Sequence, residues 1–236
     1  DVKLHLDVRC GTYGVELGGR KLEVAKIVMT SYALEEADTP VEVFEACRAF
    51  CSEMCDDPDC RDTVIYGGNN WYYAYGKSSA KEILGDSAYL AEMTEGIENR
   101  PFMVMDDGWQ IDHSDSYNGG PWRVGNADYG DMGELAAQMR AKNVRPGIWF
   151  RPLYDHSADI PAEWRLERNA EVFDISVPEV LEHIAQDIRQ LGDWGYELIK
   201  HDFSTYDIFG CWGFEMGTRL TNGSWRFHDH TKTTAE

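Results

Sequence analysis

Phe102-Met-Val-Met-Asp-Asp-Gly-Trp109 is the stretch on which the fold turns. Four apolar residues without interruption suit a strand covered on both faces, as the strands of a parallel sheet are. Two carboxylates follow at once, at the carboxyl end, where parallel α/β folds gather their ligand-binding groups. The same rhythm extends in both directions. Thr63-Val-Ile-Tyr66 lies upstream, with Gly147-Ile-Trp-Phe150 and Glu197-Leu-Ile-Lys200 downstream, and between the runs stand loops rich in Gly, Trp and Asp, then stretches of helical period. Three start signals accompany those stretches: Ser79 with Glu82, Asp131 with Glu134, and Ser176 with Glu179. The spacing predicts a first helix burying Ala80, Ile83 or Leu84, Ala88 and Ala91, a second ended by a left-handed Asn143, and a third facing inward with Leu181, Ile184, Ile188 and Leu191. Strands alternating with helices in this way make an α/β protein.

The flanks read differently. Leu4, Leu6 and Val8 alternate with Lys3, His5, Asp7 and Arg9, as in a half-buried antiparallel strand, and Gly18-Gly19 reads as a turn before Leu22, Val24 and Ile27-Val28. These first thirty or so residues are expected to be the end of a β domain lying mainly upstream. The first residues have neither the basic nor the apolar region of a secretory signal, and no run of eighteen apolar residues occurs.

The chain of 236 residues is 43% hydrophobic, enough for a sizeable core. Forty-two acidic against twenty-two basic residues give a formal charge of −20, which repels phosphate backbones and anionic lipid, so neither nucleic acid nor membrane is an expected partner. Four of the six cysteines, Cys47, Cys51, Cys55 and Cys60, lie at intervals of four, four and five, without the tight pairs of common zinc sites. Phe44, Cys47, Cys51 and Met54 recur instead at helical spacing and are expected to pack as an apolar face.

Polar residues at the four strand ends are Asn69-Asn70-Trp71, Asp106-Asp107, Arg151 after Trp149-Phe150, and Lys200-His201-Asp202. Neither a nucleophile elbow, a dinucleotide fingerprint nor a phosphate loop is present, which weighs against acyl transfer, dinucleotide binding and phosphoryl transfer. Carboxylates beside tryptophans suit a sugar, whose hydroxyls need acceptors and whose ring faces need indole. Adjacent aspartates often cap a helix or sit on a solvated face, but directly after a buried strand they lie at the ligand-binding rim. Lys200 and Asp202, two apart on a strand, point the same way, so that the ammonium partners the carboxylate, either as a structural ion pair or as support for a nucleophile. His201 points oppositely and is expected to be packed.

Tyr66-Gly-Gly-Asn-Asn-Trp-Tyr-Tyr73, Met105-Asp-Asp-Gly-Trp109, Gly147-Ile-Trp-Phe-Arg-Pro152 and Leu198-Ile-Lys-His-Asp-Phe203 together resemble the catalytic domain of the melibiase-type α-galactosidases, over about residues 60 to 210. The resemblance implies a (β/α)₈ TIM barrel of which about the first half is present, with residues 1–35 ending an N-terminal β-sandwich and residues 36–236 opening the barrel. It implies a retaining hydrolase of terminal α-linked galactose in which Asp202 is the nucleophile, Lys200 binds sugar beside it, and Asp106 and Asp107 hold O4 and O6. Trp71 floors the pocket, and Arg151 binds sugar or orients Asp202. The acid/base residue is expected outside these 236 residues, so the chain taken alone is expected to be inactive and, with an open sheet edge, to admit a homo-oligomer. No metal or organic cofactor is implied. Alternatives are an α-N-acetylgalactosaminidase or galactosyl transferase of the same family, a galactoside-binding protein without turnover, and a lyase or isomerase using Asp106, Asp107 and Asp202 on a hard cation, against which Lys200 weighs.

Overall fold

The computed structural model describes residues 15–23, 26–29, 40–55, 57, 63–210, 212, 226–234 and 236. The alternating stretch over residues 3–9, Val24, Cys10, Cys60, Cys211 and Trp225 lie outside them. The chain forms two compact units, one of Asp1–Arg20 with Ile65–Glu236 and one of Lys21–Val64.

In the smaller unit the helical spacing is realised as α1, Pro40–Glu53. Its expected packing is not: Phe44 is 63% exposed, Met54 is 66% exposed, and the thiols of Cys47, Cys51 and Cys55 are free and exposed. Among the described residues of this unit no second element covers that face. In the larger unit Gly18 and Gly19 form the expected turn, closed by the Arg20 amide donating to the Leu17 carbonyl at 2.9 Å; no strand occurs among the described residues of 15–20 there, nor among those of 21–29 in the smaller unit.

The larger unit is a parallel sheet. Its strands are β1 (Gly67–Asn69), β2 (Phe102–Met105), β3 (Arg145–Phe150) and β6 (Leu198–His201), hydrogen-bonded in that order. Between them in the chain lie α2 (Trp71–Ala74) and α3 (Ala80–Met93), then α4 (Met132–Ala141), then a short antiparallel hairpin, β4 (Arg165–Leu166) with β5 (Asn169–Phe173), and α5 (Pro178–Asp193). β6 is followed directly by α6 (Ser204–Phe209). The register sets Asn69 beside Val104, Val104 beside Gly147 and Gly147 beside Leu198, so β2 runs one residue beyond β1, and β3 and β6 run three beyond it, all toward the same carboxyl end.

The first strand departs from expectation. Val64 and Ile65 are 71% and 54% exposed, and pairing begins only at Gly67. A Cβ there would stand 1.8 Å from the Phe102 carbonyl oxygen, so the sheet starts where the side chain disappears rather than where the apolar run begins. Met103, Met105, Ile148 and Trp149 from β2 and β3 pack with Ile83 of α3 and Met139 of α4 in the main core.

The helix signals at Ser79 and Asp131 hold. Their side chains accept the amides of Glu82 and Glu134, at 3.4 and 2.8 Å. Asn143 takes φ +65°, and amide bonds from Asn143 to Arg140 and from Val144 to Met139 close the helix in the Schellman pattern. On α3, Ile83 is buried as expected, but the adjacent buried position is Ser87 rather than Ala88, with the Ser87 hydroxyl donating to the Ile83 carbonyl at 2.7 Å. The third helix starts later than Ser176 and is rotated. Pro178 is its first residue, Val177 its extended cap, and Ser176 accepts the Asp229 amide instead. Val180, His183, Asp187 and Leu191 are buried, whereas Leu181 and Ile188 are 53% and 43% exposed. The His183 ring, wedged 5.5 Å from Trp164 and 5.6 Å from Phe173, takes the inward position that the apolar periodicity assigns to Leu181 and Ile188.

Candidate active site

Lys200 is the centre on which three strand ends converge. Its ammonium donates to Oδ2 of Asp106 at 2.6 Å, and Oδ2 of Asp202 lies 3.8 Å away. The lysine therefore bridges the two carboxylates and bonds most closely to the one that follows β2, on the far side of β3 and 94 residues distant in the chain.

Asp106 is 2% exposed and held on every side. Asn69 at the end of β1 donates to its Oδ2 at 2.5 Å, Asn70 accepts its amide at 2.8 Å, and its Oδ1 accepts the Asp107 amide at 2.9 Å. Asp107 is 5% exposed; its Oδ1 accepts from Gln110 at 2.8 Å, with His113 Nδ1 at 3.4 Å but without hydrogen-bond geometry. Among the described residues nothing hydrogen-bonds Oδ2 of Asp107. Gly108 follows at φ +115°, where a Cβ would strike the Gly76 carbonyl oxygen at 2.4 Å, so the double-aspartate turn packs directly on the loop after α2. Trp109 is fully buried, its indole donating to the Trp149 carbonyl at 2.9 Å; it is a core residue and faces no ligand.

Asp202 stands just past β6, its amide bonded to the Phe150 carbonyl at 3.0 Å. Its carboxylate accepts the Trp149 indole N–H at Oδ2 and the Phe203 amide at Oδ1, both at 2.9 Å. Fixing both oxygens holds the side chain in one orientation, which a reacting group needs. His201 is exposed rather than packed and bonds to the hydroxyl of Ser204.

Arg151 is 6% exposed and turned to Asp207 of α6, which it meets through Nε at 3.0 Å and Nη2 at 2.5 Å. Burial pushes the Asp207 carboxyl up, while these bonds pull it back. The guanidinium also bonds to Asn118 and lies between the rings of Tyr154 and Phe203, 3.8 and 4.3 Å from their centroids. Trp71 opens α2, with its amide on the Asn69 side chain at 2.9 Å and its ring 5.6 Å from Tyr75. Asp207 stands in a helix rather than after a strand, so only its partner could have drawn attention to it in the sequence; Trp149 stands in a motif but reads there as a core residue. Among the described residues no three His, Cys, Asp or Glu side chains are grouped to hold a metal ion, and no helix is long and apolar enough to cross a membrane.

No protein-family model matches the chain, and no curated protein matches it. Solved structures do. The galactosidase domain of the α-galactosidase–sucrose kinase AgaSK matches at TM-score 0.51 and 23% identity over 60% of this chain. The α-galactosidase AgaA of glycoside hydrolase family 36 from Geobacillus stearothermophilus, in complex with stachyose, matches at TM-score 0.51 and 24% identity over 59%. TtGalA, an α-galactosidase from Thermus thermophilus, matches at TM-score 0.44 and 22% identity over 61%. This chain spans 21% of the length of the first two and 31% of the third. Over about 60% of its length, the chain thus shares the parallel α/β fold of the family 36 α-galactosidases.

Proposed function

We propose that this chain carries the nucleophile half of a retaining α-galactosidase site, on the first half of a (β/α)₈ barrel that follows a β domain ending near residue 35. The observation that supports it most is the bridge Asp106–Lys200–Asp202, which sets a buried sugar-binding carboxylate and a fixed, partly exposed carboxylate around one ammonium at the carboxyl ends of β2 and β6. In this reading Asp202 attacks the anomeric carbon as the bond to the leaving oxygen breaks, and a general acid supplied by a later segment protonates that oxygen. The same residue then takes a proton from water, which attacks the anomeric carbon and releases Asp202.

Each neighbouring group has a part. Trp149 and the Phe203 amide aim the attacking oxygens, and Lys200 ties that aim to the carboxylate holding the ring. The open Oδ2 of Asp107 accepts from a galactose hydroxyl, and Trp71 covers the ring. The ammonium lies where a cation shared by Asp106 and Asp202 would have to sit, which favours hydrolysis over the cation-dependent alternative. Asp202→Asn in the intact protein is expected to lower turnover of a nitrophenyl α-galactoside by several orders of magnitude with the melting curve unchanged. Near-wild-type turnover in that variant would overturn the assignment.

A further inference from the structure

The smaller unit carries a group of nucleophilic side chains that the hydrolase reading does not use. Cys47, Cys51 and Cys55 follow one another at intervals of four, and all three thiols are free and exposed. Cys47 and Cys51 both lie within α1, so the helix fixes their relation: residues four apart are neighbours on its surface, with Cβ atoms about 5–6 Å apart. The Met54 amide donates to the Cys51 carbonyl at 3.2 Å, which carries the winding past Glu53 and keeps Met54, 66% exposed, on the side of the cysteines. Cys55 follows that bond, outside the helix. Structural zinc takes four ligands in a tetrahedron, and among the described residues no three His, Cys, Asp or Glu side chains are grouped to begin one. Two thiols held side by side suit a cation that is satisfied by two ligands.

We propose that Cys47 and Cys51 form a binding site for a soft, two-coordinate, monovalent cation of the Cu(I) class. The proposal does not depend on the hydrolase reading. Geometry is its first support, since the span between neighbouring Cβ atoms lets both sulfurs turn onto one ion without unwinding the helix. Donor chemistry is the second: thiolate and thioether sulfur select Cu(I), whereas the hard cations prefer oxygen. Charge is the third. Residues 21–64 hold eleven acidic against four basic side chains, a field that draws cations, and Arg48, the only basic residue of α1, is turned to Glu45 at 3.6 Å. Binding breaks two S–H bonds and forms two S–Cu bonds, the protons leave to solvent, and no oxidation state changes.

The test titrates Cu(I), held by a chromophoric chelator, with the intact, reduced protein in the absence of oxygen. Wild type should withdraw one equivalent more than Cys47→Ser/Cys51→Ser. Each single variant of that pair should lose the same equivalent, and Cys55→Ser should keep it. Cys51→Ser/Ser52→Cys has as many thiols as wild type but sets the second one off the face, and should not regain it. Equal withdrawal by wild type and the double variant would overturn the site, as would full binding by Cys51→Ser/Ser52→Cys. One more equivalent of zinc bound by wild type than by the double variant would overturn the two-coordinate reading. A measurement free of substitutions is alkylation of wild type with iodoacetamide, mapped by mass spectrometry. One equivalent of Cu(I) should protect Cys47 and Cys51 together; labelling of either that is unchanged by Cu(I) would overturn the proposal.

Discussion

Asp187 on α5 is 4% exposed, with His183 Nε2 at 3.5 Å and Arg123 at 3.9 Å. Burial pushes its carboxyl up to about 7, against Arg123 and with the help of Asp155. Burial and then Arg123 push the His183 imidazole down. In the unfolded chain Asp187 loses its proton near the usual carboxylate value, whereas the folded chain keeps it to about pH 7. Between those limits the native state binds the extra proton, so this group costs stability progressively as pH rises from about 4 to about 7 and no more above. Asp187→Asn should therefore gain in melting temperature relative to wild type across that window and level off beyond it, as melts at pH 4 to 8 would record. A constant difference would contradict the assignment. The second residue-scale prediction concerns Asp207, whose loss leaves Arg151 charged and buried. Asp207→Ala should destabilise by about 3–5 kcal/mol in urea unfolding. Asp106, Asp107, Lys200 and Asp202 were legible because chemically loaded residues follow apolar runs directly. The bond from Trp149 to Asp202 and the pair Arg151–Asp207 were not, since they join residues 53 and 56 apart that no local pattern links.

At the level of elements, the clearest lesson is β1. The apolar run Thr63–Tyr66 marks a strand in a sequence, yet the strand is Gly67–Asn69, because the closest backbone approach to β2 requires a residue without a Cβ. Gly67→Ala should therefore lower the urea midpoint strongly, by about 2 kcal/mol or more in stability, as β1 is forced off β2. Gly68→Ala, whose added carbon meets only Met103 and Leu90 side-chain atoms at 3.5 and 3.8 Å, should cost less than half as much. Equal effects would remove the steric account of where the sheet begins. Capping was readable to the residue at Ser79, Asp131 and Asn143, since these ends are closed by contacts within one turn. The third helix was misread because Pro178 competes with Ser176 as a start, and because a histidine–aspartate face, rather than the most apolar stripe, turns inward. The hairpin β4–β5 left no trace in the periodicity, its strands being two and five residues long.

Over the whole molecule, the carboxyl end of a four-stranded parallel sheet assembles what no single element holds: a carboxylate from β2, a lysine and a carboxylate from β6, and an indole from β3. The net charge of −20 surrounds this site with a field that disfavours anionic substrates and is indifferent to neutral sugars. The alternation that revealed the sheet runs through residues 63–201, four strands with the helices between them, which is why the parallel α/β class was the most legible feature. The cleft lined by Asn118, Tyr154, Glu171, Tyr206 and Trp212 was invisible, because it is assembled from two loops, β5 and the segment around α6. The central claim is that Asp202 becomes covalently galactosylated. Its most direct test is to treat the intact protein with a 5-fluoro galactosyl fluoride, whose slow hydrolysis lets the intermediate accumulate, and to map the modified peptide by mass spectrometry. One sugar on Asp202, absent from Asp202→Asn, is the expected result; fluoride release with no labelled peptide, or a label on another carboxylate such as Asp106 or Asp207, would contradict it.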